Sequence, residues 1–460
     1  MAESNRRKKE MRKHRITVLL VTLAILALAG MIVYFTSSDN IKKFFSEKEE
    51  ETTEEETEDP DEVEAARVAE VIAQAEIIAA GYDFDAAIEY LKSDEAYRQT
   101  LSMLVEVENL EARKETMVEW SDVRTIPHIY VRPLIADEEK AFSSENASTY
   151  ASDYITVDEF KALLNELYEN DYVLVSIHDV AAMQEYVVKK ETEETTEETG
   201  TVIKMTTGSI YLPEGKKPIV LSVENACYTE TMSEEGFASR LVLLDDGTVT
   251  CEMVDGDDVS YGAYDVVPVL EEFITEHPDF SYQSARAVLG ITGIYGVLGY
   301  HTSYLYMDED TYVDNTTAAR LLVEQLKELG YEIGCNGYNY AGVSESVMDD
   351  ETFVSEMNSW LNETASVVGK TDIFIFPYGD DVGDWHYYSG GRYETLKKLG
   401  YDYFINMNSS ETSWNQILDD YMRQGRREIS GKTLTEAVQG SGAFEDLFDA
   451  SAVLITDRNY

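Results

Sequence analysis

Residues 316–341, TTAARLLVEQLKELGYEIGCNGYNYA, contain one complete passage from a helix into a strand. The first part predicts a helix over 316–329, and Gly330 follows it as the residue type that most often ends a helix. The apolar run Tyr331–Gly334 then predicts a buried strand. Polar residues from Asn336 to Tyr340 come directly after that strand, at its carboxyl end. This passage is typical of proteins in which helices pack on a parallel sheet.

The same alternation recurs through the carboxyl-terminal part of the chain. Strands are predicted at His128–Val131, Tyr172–Ile177, Pro218–Val223, Ala285–Ile291, Tyr331–Gly334, Ile373–Phe376 and Tyr403–Met407. A helix over 156–169 begins with Thr156-x-x-Glu159, a capping box. Because strand and helix alternate at least five times, we expect an α/β fold with a parallel sheet or barrel, in which function collects at the carboxyl ends of the strands. The acidic run 191–200 is predicted to be a solvated polar loop.

Three of these strand ends carry distinctive sequences, LSVENACY (221–228), YEIGCNGYNYA (331–341) and FIFPYGDD (374–381). In this order and at these separations they resemble the signature motifs of the polysaccharide deacetylase (NodB-homology) family, carbohydrate esterases that remove acetyl groups from cell-wall glycans. The resemblance covers about residues 126–440 and includes the Gly-Arg-Arg-Glu-Ile stretch at 425–429. It implies a distorted (β/α)7-type barrel over residues 126–455. A transmembrane helix and a small helical segment are predicted ahead of it from their own sequence patterns.

The resemblance also implies a metal site, which this sequence does not reproduce. Family members bind a divalent metal through an Asp and two His, and a second Asp acts as the base. Here Glu224 stands at the base position, whereas Asn225, Asn336 and Tyr340 stand at the three ligand positions. Neutral side chains would leave a dication without compensating charge. We therefore expect no metal cofactor and a catalytically inactive site; zinc or another divalent metal is expected only if the site has been rebuilt.

The third motif is partly kept. Pro377, Tyr378 and Gly379 match the family, so the backbone N–H of Tyr378 stands at the position that would steady an oxyanion. Ile375, however, stands where the arginine that orients the base would be. The scaffold of the motif is thus predicted to survive without its charged member.

Rings and histidines near the predicted barrel mouth are candidates for binding glycan. These candidates are Tyr338, Trp385, Tyr387, His386 and His301, since aromatic rings stack on sugar faces. Two alternatives stay open for the rings, which either bind sugar or fill the space left by the missing ligands. His301 and His386 likewise either form a relocated site with Glu224 or are partly exposed loop histidines.

Cysteines and one further histidine complete the candidates. Cys227 and Cys335 both fall within two residues of a degenerate motif position, so the resemblance implies that they lie near one another. They either form a disulfide or remain two buried thiols. His178-Asp179 lies in a segment that resembles the family scaffold, and we expect it to be structural.

The amino-terminal part predicts attachment to a membrane. Residues 1–15 form a basic tail expected in the cytoplasm, and residues 16–35 are twenty positions without a charge, enough to cross a bilayer. A cleaved signal peptide is the alternative. An acidic linker over 36–61 and a helical segment over 62–118, which serves packing or forms a stalk, should then carry the main domain outside the cell membrane.

Charge and motifs together limit the function. The formal net charge is −52, from 89 Asp and Glu against 37 Lys and Arg, which excludes nucleic acid as a partner. We expect a single-pass, membrane-anchored extracellular protein that binds cell-wall glycan or acts as an envelope scaffold. An active carbohydrate or peptidoglycan deacetylase with a rebuilt site and a structural partner of a membrane protein are the alternatives.

Overall fold

The structure is a computed structural model that describes residues 60–190, 198–384, 386–407, 413–456 and 458. The predicted basic tail (1–15), the predicted transmembrane helix (16–35) and residues 36–59 of the predicted linker lie outside the described residues. Within the described ranges, every helix is too short or too polar to cross a membrane.

Helices and strands alternate along most of the described chain. The helices, apart from short 3₁₀ and π-helical turns, are α1 Pro60–Ala80, α2 Phe84–Ser93, α3 Leu101–Lys114, α4 Glu138–Ser143, α5 Ala147–Asp153, α6 Val157–Glu169, α7 Ile177–Val180, α8 Glu230–Glu234, α9 Val266–Glu276, α10 Tyr312–Leu329, α11 Asp350–Ser359, α12 Ala365–Val368, α13 Gly391–Leu399, α14 Gly431–Glu436 and α15 Ala450–Val453. The strands are β1 Val118–Glu119, β2 His128–Val131, β3 Tyr172–Leu174, β4 Ala181–Lys190, β5 Glu198–Thr207, β6 Tyr211–Leu212, β7 Lys217–Val223, β8 Arg240–Leu243, β9 Val249–Asp255, β10 Asp258–Gly262, β11 Val288–Ile291, β12 Glu332–Cys335, β13 Ile373–Ile375, β14 Tyr403–Met407, β15 Trp414–Ile417 and β16 Met422–Glu428.

Seven parallel strands close into a barrel. Neighbouring strands follow the order β7, β11, β12, β13, β14, β16 and β2, and β2 pairs again with β7. The register places Ser222 of β7 beside Tyr130 on one side and Val288 on the other. β3 pairs with the first residues of β7, outside the ring. The predicted α/β class with a parallel barrel is confirmed, and a distorted (β/α)7 barrel fits this closed arrangement.

Smaller antiparallel elements interrupt the alternation. β4 and β5 form a long hairpin. β8, β9 and β10, which lie between β7 and α9 in the sequence, form a three-stranded sheet. The prediction of a loop over 191–200 is wrong at its end, because residues 198–200 belong to β5; residues 191–197 lie outside the described residues. The predicted strand Tyr172–Ile177 is shorter than expected, since Ser176 caps a helical turn that begins at Ile177.

Helices α2 and α3 cover the end of the barrel at which the strands begin. Their buried residues, such as Leu91, Met103 and Leu110, share one core with barrel residues such as Val288 and Met422. The helical segment predicted over 62–118 is therefore, from Val68 onward, part of the same compact unit as the barrel. At the opposite end, where the strands finish, the barrel is bordered by the loops that carry the three motifs.

Candidate active site at the barrel mouth

Glu224, the first residue after β7, lies inside the barrel mouth with 1% of its surface exposed. One carboxylate oxygen, Oε1, accepts a hydrogen bond from the Tyr340 hydroxyl at 2.9 Å. The other, Oε2, forms an ion pair with Arg426 Nη2 at 2.5 Å, and the Arg426 side chain has no exposed surface. The position that the resemblance assigns to a catalytic base is thus one half of a fully buried ion pair.

Arg426 is held from two further directions. Its guanidinium group lies 4.4 Å from the centre of the Tyr130 ring, a distance at which the ring face attracts a cation. Its Nη1 donates a hydrogen bond to Ser222 Oγ at 3.1 Å. Strand pairing explains the convergence, because alternate residues of neighbouring parallel strands face the same interior. Tyr130, Ser222 and Arg426 lie on β2, β7 and β16, which are adjacent in the ring, and Glu224 directly follows β7.

A buried hydrogen-bond chain continues from Arg426 across the barrel. Ser222 Oγ lies 3.0 Å from His128 Nε2, and His128 Nδ1 lies 3.0 Å from Gln424 Oε1. Gln424 Nε2 donates to the Ile126 carbonyl at 3.1 Å, so its Oε1 is left to accept from His128. Burial, reinforced by the positive charge of Arg426, lowers the pKa of His128 well below its usual value of 6.5. His128 is therefore neutral, with its proton on Nδ1 and with Nε2 accepting from Ser222.

At two of the three predicted ligand positions the side chains bond to the protein itself, whereas the Asn225 side-chain oxygen is buried without a hydrogen-bond partner among the described residues. Asn336 Oδ1 accepts from the Asn225 backbone N–H at 2.8 Å, and Asn336 Nδ2 donates to the Ile375 carbonyl at 3.1 Å. Burial and the charge of Glu224 raise the pKa of the Tyr340 phenol, which keeps it protonated as a donor. Asn336 and Tyr340 thus hold together the tips of neighbouring strands.

These residues do not fit a divalent metal. Among Glu224, Asn225, Asn336 and Tyr340, the only anionic donor is Glu224. Its charge is already balanced by Arg426 at 2.5 Å. A metal in this place would meet a buried guanidinium cation and a protonated phenol, which repel a dication or cannot ligate it. Across the described parts of the chain, no group of three or more His, Cys, Asp or Glu side chains is arranged to hold a metal ion.

Three residues at the mouth adopt left-handed backbone conformations that non-glycine residues rarely take. These are Asn225 with φ of 50°, Tyr340 with φ of 52° and Tyr378 with φ of 56°. Each such residue costs on the order of 1–2 kcal/mol. One strained residue lies in each of the three motifs. Strain of this kind persists only where surrounding contacts fix the geometry, and it clusters at functional sites.

Tyr378, at the predicted oxyanion position, lies at the rim of the mouth. Its side chain is 62% exposed, and its ring centre lies 4.5 Å from that of Tyr340. The two rings are tilted by 52° to each other, and Tyr340 lies between Glu224, to which its hydroxyl donates, and Tyr378 at the surface. Tyr340 is half-buried, which makes Tyr378 the outermost ring of the site.

The predicted glycan-binding residues differ in how much of their surface is exposed. Tyr387 is 70% exposed, whereas Tyr338 is buried and its hydroxyl donates to Glu363 at 2.7 Å. The ring of Tyr338 consequently offers no open face. His386 is exposed and bonded to Asp384, and Trp385 lies outside the described residues.

His301 is held within its own loop. Its ring stacks on Tyr306 at 3.9 Å between centres, and Nδ1 lies 3.3 Å from Glu309 Oε2. In the described part of the chain, the hydrogen bonds of the Glu224 carboxylate go to Tyr340, Asn336 and Arg426. The carboxylate therefore bonds to neither histidine of the relocated site that the sequence left open.

The remaining sequence candidates are structural. Cys227, Cys251 and Cys335 are free, buried thiols, so the second of the two alternatives for Cys227 and Cys335 holds. Burial raises the pKa of the Cys227 and Cys335 thiols to about 12, which keeps them protonated and unreactive. His178 bonds to Glu332 and Asp372 near the start of β12 and β13, at the end of the barrel away from the mouth.

Arg426, His128 and Gln424 were not predicted as site residues from the sequence. The signal that could have found them is the period of two in Met422-x-Gln424-x-Arg426, which places three side chains on one face of a strand. His128-x-Tyr130 and Ser222-x-Glu224 show the same period on the neighbouring strands.

No family model matches this chain, and no curated protein is significantly similar to it.

Proposed function

We propose that the protein is a membrane-anchored extracellular relative of polysaccharide deacetylases that binds cell-wall glycan, or organises the envelope, without hydrolysing its ligand. The proposal combines the barrel with the motif resemblance and with the apolar run at 16–35. In this reading the barrel presents a recognition surface, and its former reaction centre has become part of the core.

The ion pair between Glu224 and Arg426 is the observation that carries the proposal. Deacetylation of the family's type needs a cation that polarises the acetyl carbonyl and a base that a water molecule can reach. Arg426 supplies one positive charge but no open coordination position. Glu224 is 1% exposed, with its oxygens bonded to Arg426 and Tyr340. Because the carboxylate is buried as well as bonded, bulk water has no access to it.

The exposed rings at the rim support glycan binding. Tyr378 and Tyr387 are 62% and 70% exposed, and both follow β13 at the end of the barrel where the strands finish. A tyrosine ring can stack on the apolar face of a pyranose, while its hydroxyl bonds to sugar hydroxyls. Exposed tyrosines at a strand end are thus suited to an extended, neutral ligand.

Retention on purified cell-wall glycan tests the proposal. The full-length wild type should be retained, and the double variant Tyr378→Ala/Tyr387→Ala should be retained at least severalfold less, because two stacking rings are lost. Tyr186→Ala serves as the matched control, since Tyr186 is an exposed tyrosine on the β4–β5 hairpin. Absence of retention for the wild type, or equal retention for the double variant, would contradict the proposal.

Two measurements separate the alternatives. Acetate release from acetylated chito-oligosaccharides by the wild type, lost in Glu224→Gln, would favour an active deacetylase with a rebuilt site. Stable co-purification with a membrane protein, without retention on glycan, would favour a purely structural partner. The proposal predicts neither result.

A further inference from the structure

A cavity lies at the end of the barrel opposite the mouth, between the covering helices and the segments that precede β7 and β11. Its volume is about 510 Å³, which is within the range of small-molecule sites. It is bounded by Tyr82 and Asp83 with the first residues of α2, by Lys114, Glu115 and Met117 at the end of α3, and by Tyr211 of β6 with Tyr282 and Gln283. The three motif ends lie at the opposite ends of the strands, so this cavity is distinct from the barrel mouth.

Aromatic rings form much of the cavity wall. Tyr82, Phe84 and Tyr282 are buried in the protein but border the cavity, and Tyr211 closes its outer side with 45% of its surface exposed. The rings of Tyr82 and Tyr282 lie nearly parallel, with 6.3 Å between centres. Arg113 already lies over the ring of Phe84, and Tyr82 and Tyr282 pack against each other, so Tyr211 is the lining ring with the most exposed surface.

The polar lining is acidic. Asp83, Asp85 and Glu115 border the cavity together with a single cation, Lys114. Lys114 Nζ is paired with Asp85 at 2.6 Å, which leaves Asp83 and Glu115 as the uncompensated charges of the lining. Asp83 uses Oδ1 to cap α2 through the Ala86 N–H at 3.0 Å. Aromatic faces and excess negative charge together favour a positively charged ligand.

The wall is fixed before any ligand arrives. The Gly81 carbonyl accepts a hydrogen bond from the Gln283 backbone N–H at 2.7 Å, and the Tyr82 hydroxyl donates to the Asp279 carbonyl at 2.9 Å. Tyr82 and Gln283 have left-handed backbones, with φ of 65° and 47°. A site held in this way loses little conformational freedom on binding, which favours affinity for a small ligand.

We propose that this cavity binds an organic cation, an ammonium group carried on a small apolar body. The ammonium group lies against the face of Tyr211, the apolar body lies along the edges of Tyr82 and Tyr282 that border the cavity, and Asp83 and Glu115 balance the charge. The site does not depend on the function proposed for the barrel mouth. Its ligand class follows from the rings and charges of the cavity alone.

Calorimetric titration of the full-length chain with choline tests this proposal. Dimethylbutanol, the neutral carbon isostere of choline, is the matched ligand control. Choline should bind at least about fivefold more tightly than the isostere, because only choline carries the charge that the rings and carboxylates attract. Equal affinity for the two ligands, or absence of choline binding, would overturn the proposal.

Substitutions of Tyr211 locate the binding, since this partly exposed residue can change without opening the core. Tyr211→Phe keeps the ring face and should bind choline within about twofold of the wild type, whereas Tyr211→Leu should bind about fivefold more weakly. Tyr186→Leu, a change of the same kind on the β4–β5 hairpin, should bind like the wild type. Equal affinities of Tyr211→Phe and Tyr211→Leu, or an equal loss in Tyr186→Leu, would place the cation elsewhere and refute the site.

Discussion

Arg426 and Glu224 stand inside the barrel, where neither charge has access to water. A buried ion pair gives little net stability relative to apolar residues, because both charges lose their hydration. Removing one partner is a different case, since the other charge then remains buried and unpaired. Substitution of one partner at a time therefore shows whether the pair exists as described.

Arg426→Met should lower the free energy of unfolding by about 3–5 kcal/mol, because Glu224 is left buried without its cation. Urea denaturation followed by circular dichroism measures the change. The double variant Glu224→Leu/Arg426→Met should recover a large part of the loss, since no buried charge remains. A loss below about 1 kcal/mol in the single variant would contradict the buried pair.

His178 gives a second prediction for a single residue. Burial alone would lower its pKa, but the hydrogen bonds and charges of Asp372 and Glu332 outweigh burial and raise the pKa from 6.5 to about 10. Asp179, which is adjacent in sequence, and the Tyr403 ring complete its surroundings. The folded state therefore holds the imidazolium proton more tightly than the unfolded state. The stability from His178 is complete below pH 6.5 and is lost as the pH rises towards 10.

This dependence is measured as the difference in unfolding free energy between the wild type and His178→Gln at a series of pH values. The difference should be largest near pH 6 and should shrink steadily towards pH 10. His178 is partly exposed, so solvent screens the effect and its size will be modest. A difference that stays constant or grows with pH would contradict the charged cluster.

At the level of the elements, the glycines that follow α10 and α13 form a matched pair. Gly330 after α10 and Gly400 after α13 both adopt left-handed conformations, with φ of 104° and 101°. A Cβ atom on Gly400 meets open space, whereas one on Gly330 would lie 1.9 Å from the Ser284 carbonyl oxygen. The two sites share the backbone cost and differ only in the steric contact.

Gly400→Ala should cost about 1–2 kcal/mol of unfolding free energy, the cost of a left-handed non-glycine residue. Gly330→Ala should cost clearly more, because the loop at Ser284 must also move. Urea denaturation of both variants measures the difference. Equal costs would mean that α10 does not end against that loop.

Element prediction succeeded where apolar patterns face an apolar core. β2 and β14 have the predicted bounds, and the capping box of Thr156 and Glu159 starts α6 as expected. β16 was missed, because its inward positions include Gln424 and Arg426 and its sequence MRQGRRE has no apolar run. Gln424 and Arg426 also belong to the buried hydrogen-bond network. The polar residues that form the site therefore also removed the apolar pattern by which the strand could have been predicted. The β4–β5 hairpin was missed because its strands adjoin a run of acidic residues that is typical of loops.

For the whole molecule, the important feature is that the covering helices and the barrel belong to one unit. Leu110 of α3 is fully buried in a core shared with the barrel, whereas Leu101 at the start of the same helix is 75% exposed. If the unit is cooperative, damage to the helices must lower the stability of the barrel as well. Sequence periodicity predicted these helices but not their position, because contacts between distant segments leave no local pattern.

Leu110→Ala should therefore lower the free energy of unfolding by about 2–5 kcal/mol, through lost burial and the cavity left behind. Circular dichroism and tryptophan fluorescence should report a single coincident transition. Leu101→Ala, on the same helix, should stay within about 0.5 kcal/mol of the wild type. Two separate transitions in Leu110→Ala would show that the helices unfold independently of the barrel.

The most direct measurement is the zinc content of two proteins after loading with zinc and dialysis against metal-free buffer. One is the wild type, and the other carries Glu224→Asp, Asn225→Asp, Asn336→His, Tyr340→His and Arg426→Ala. The variant supplies anionic and imidazole donors and removes the buried guanidinium, so it should retain stoichiometric zinc, while the wild type should retain none. Stoichiometric zinc in the wild type would contradict a barrel mouth whose cation is Arg426.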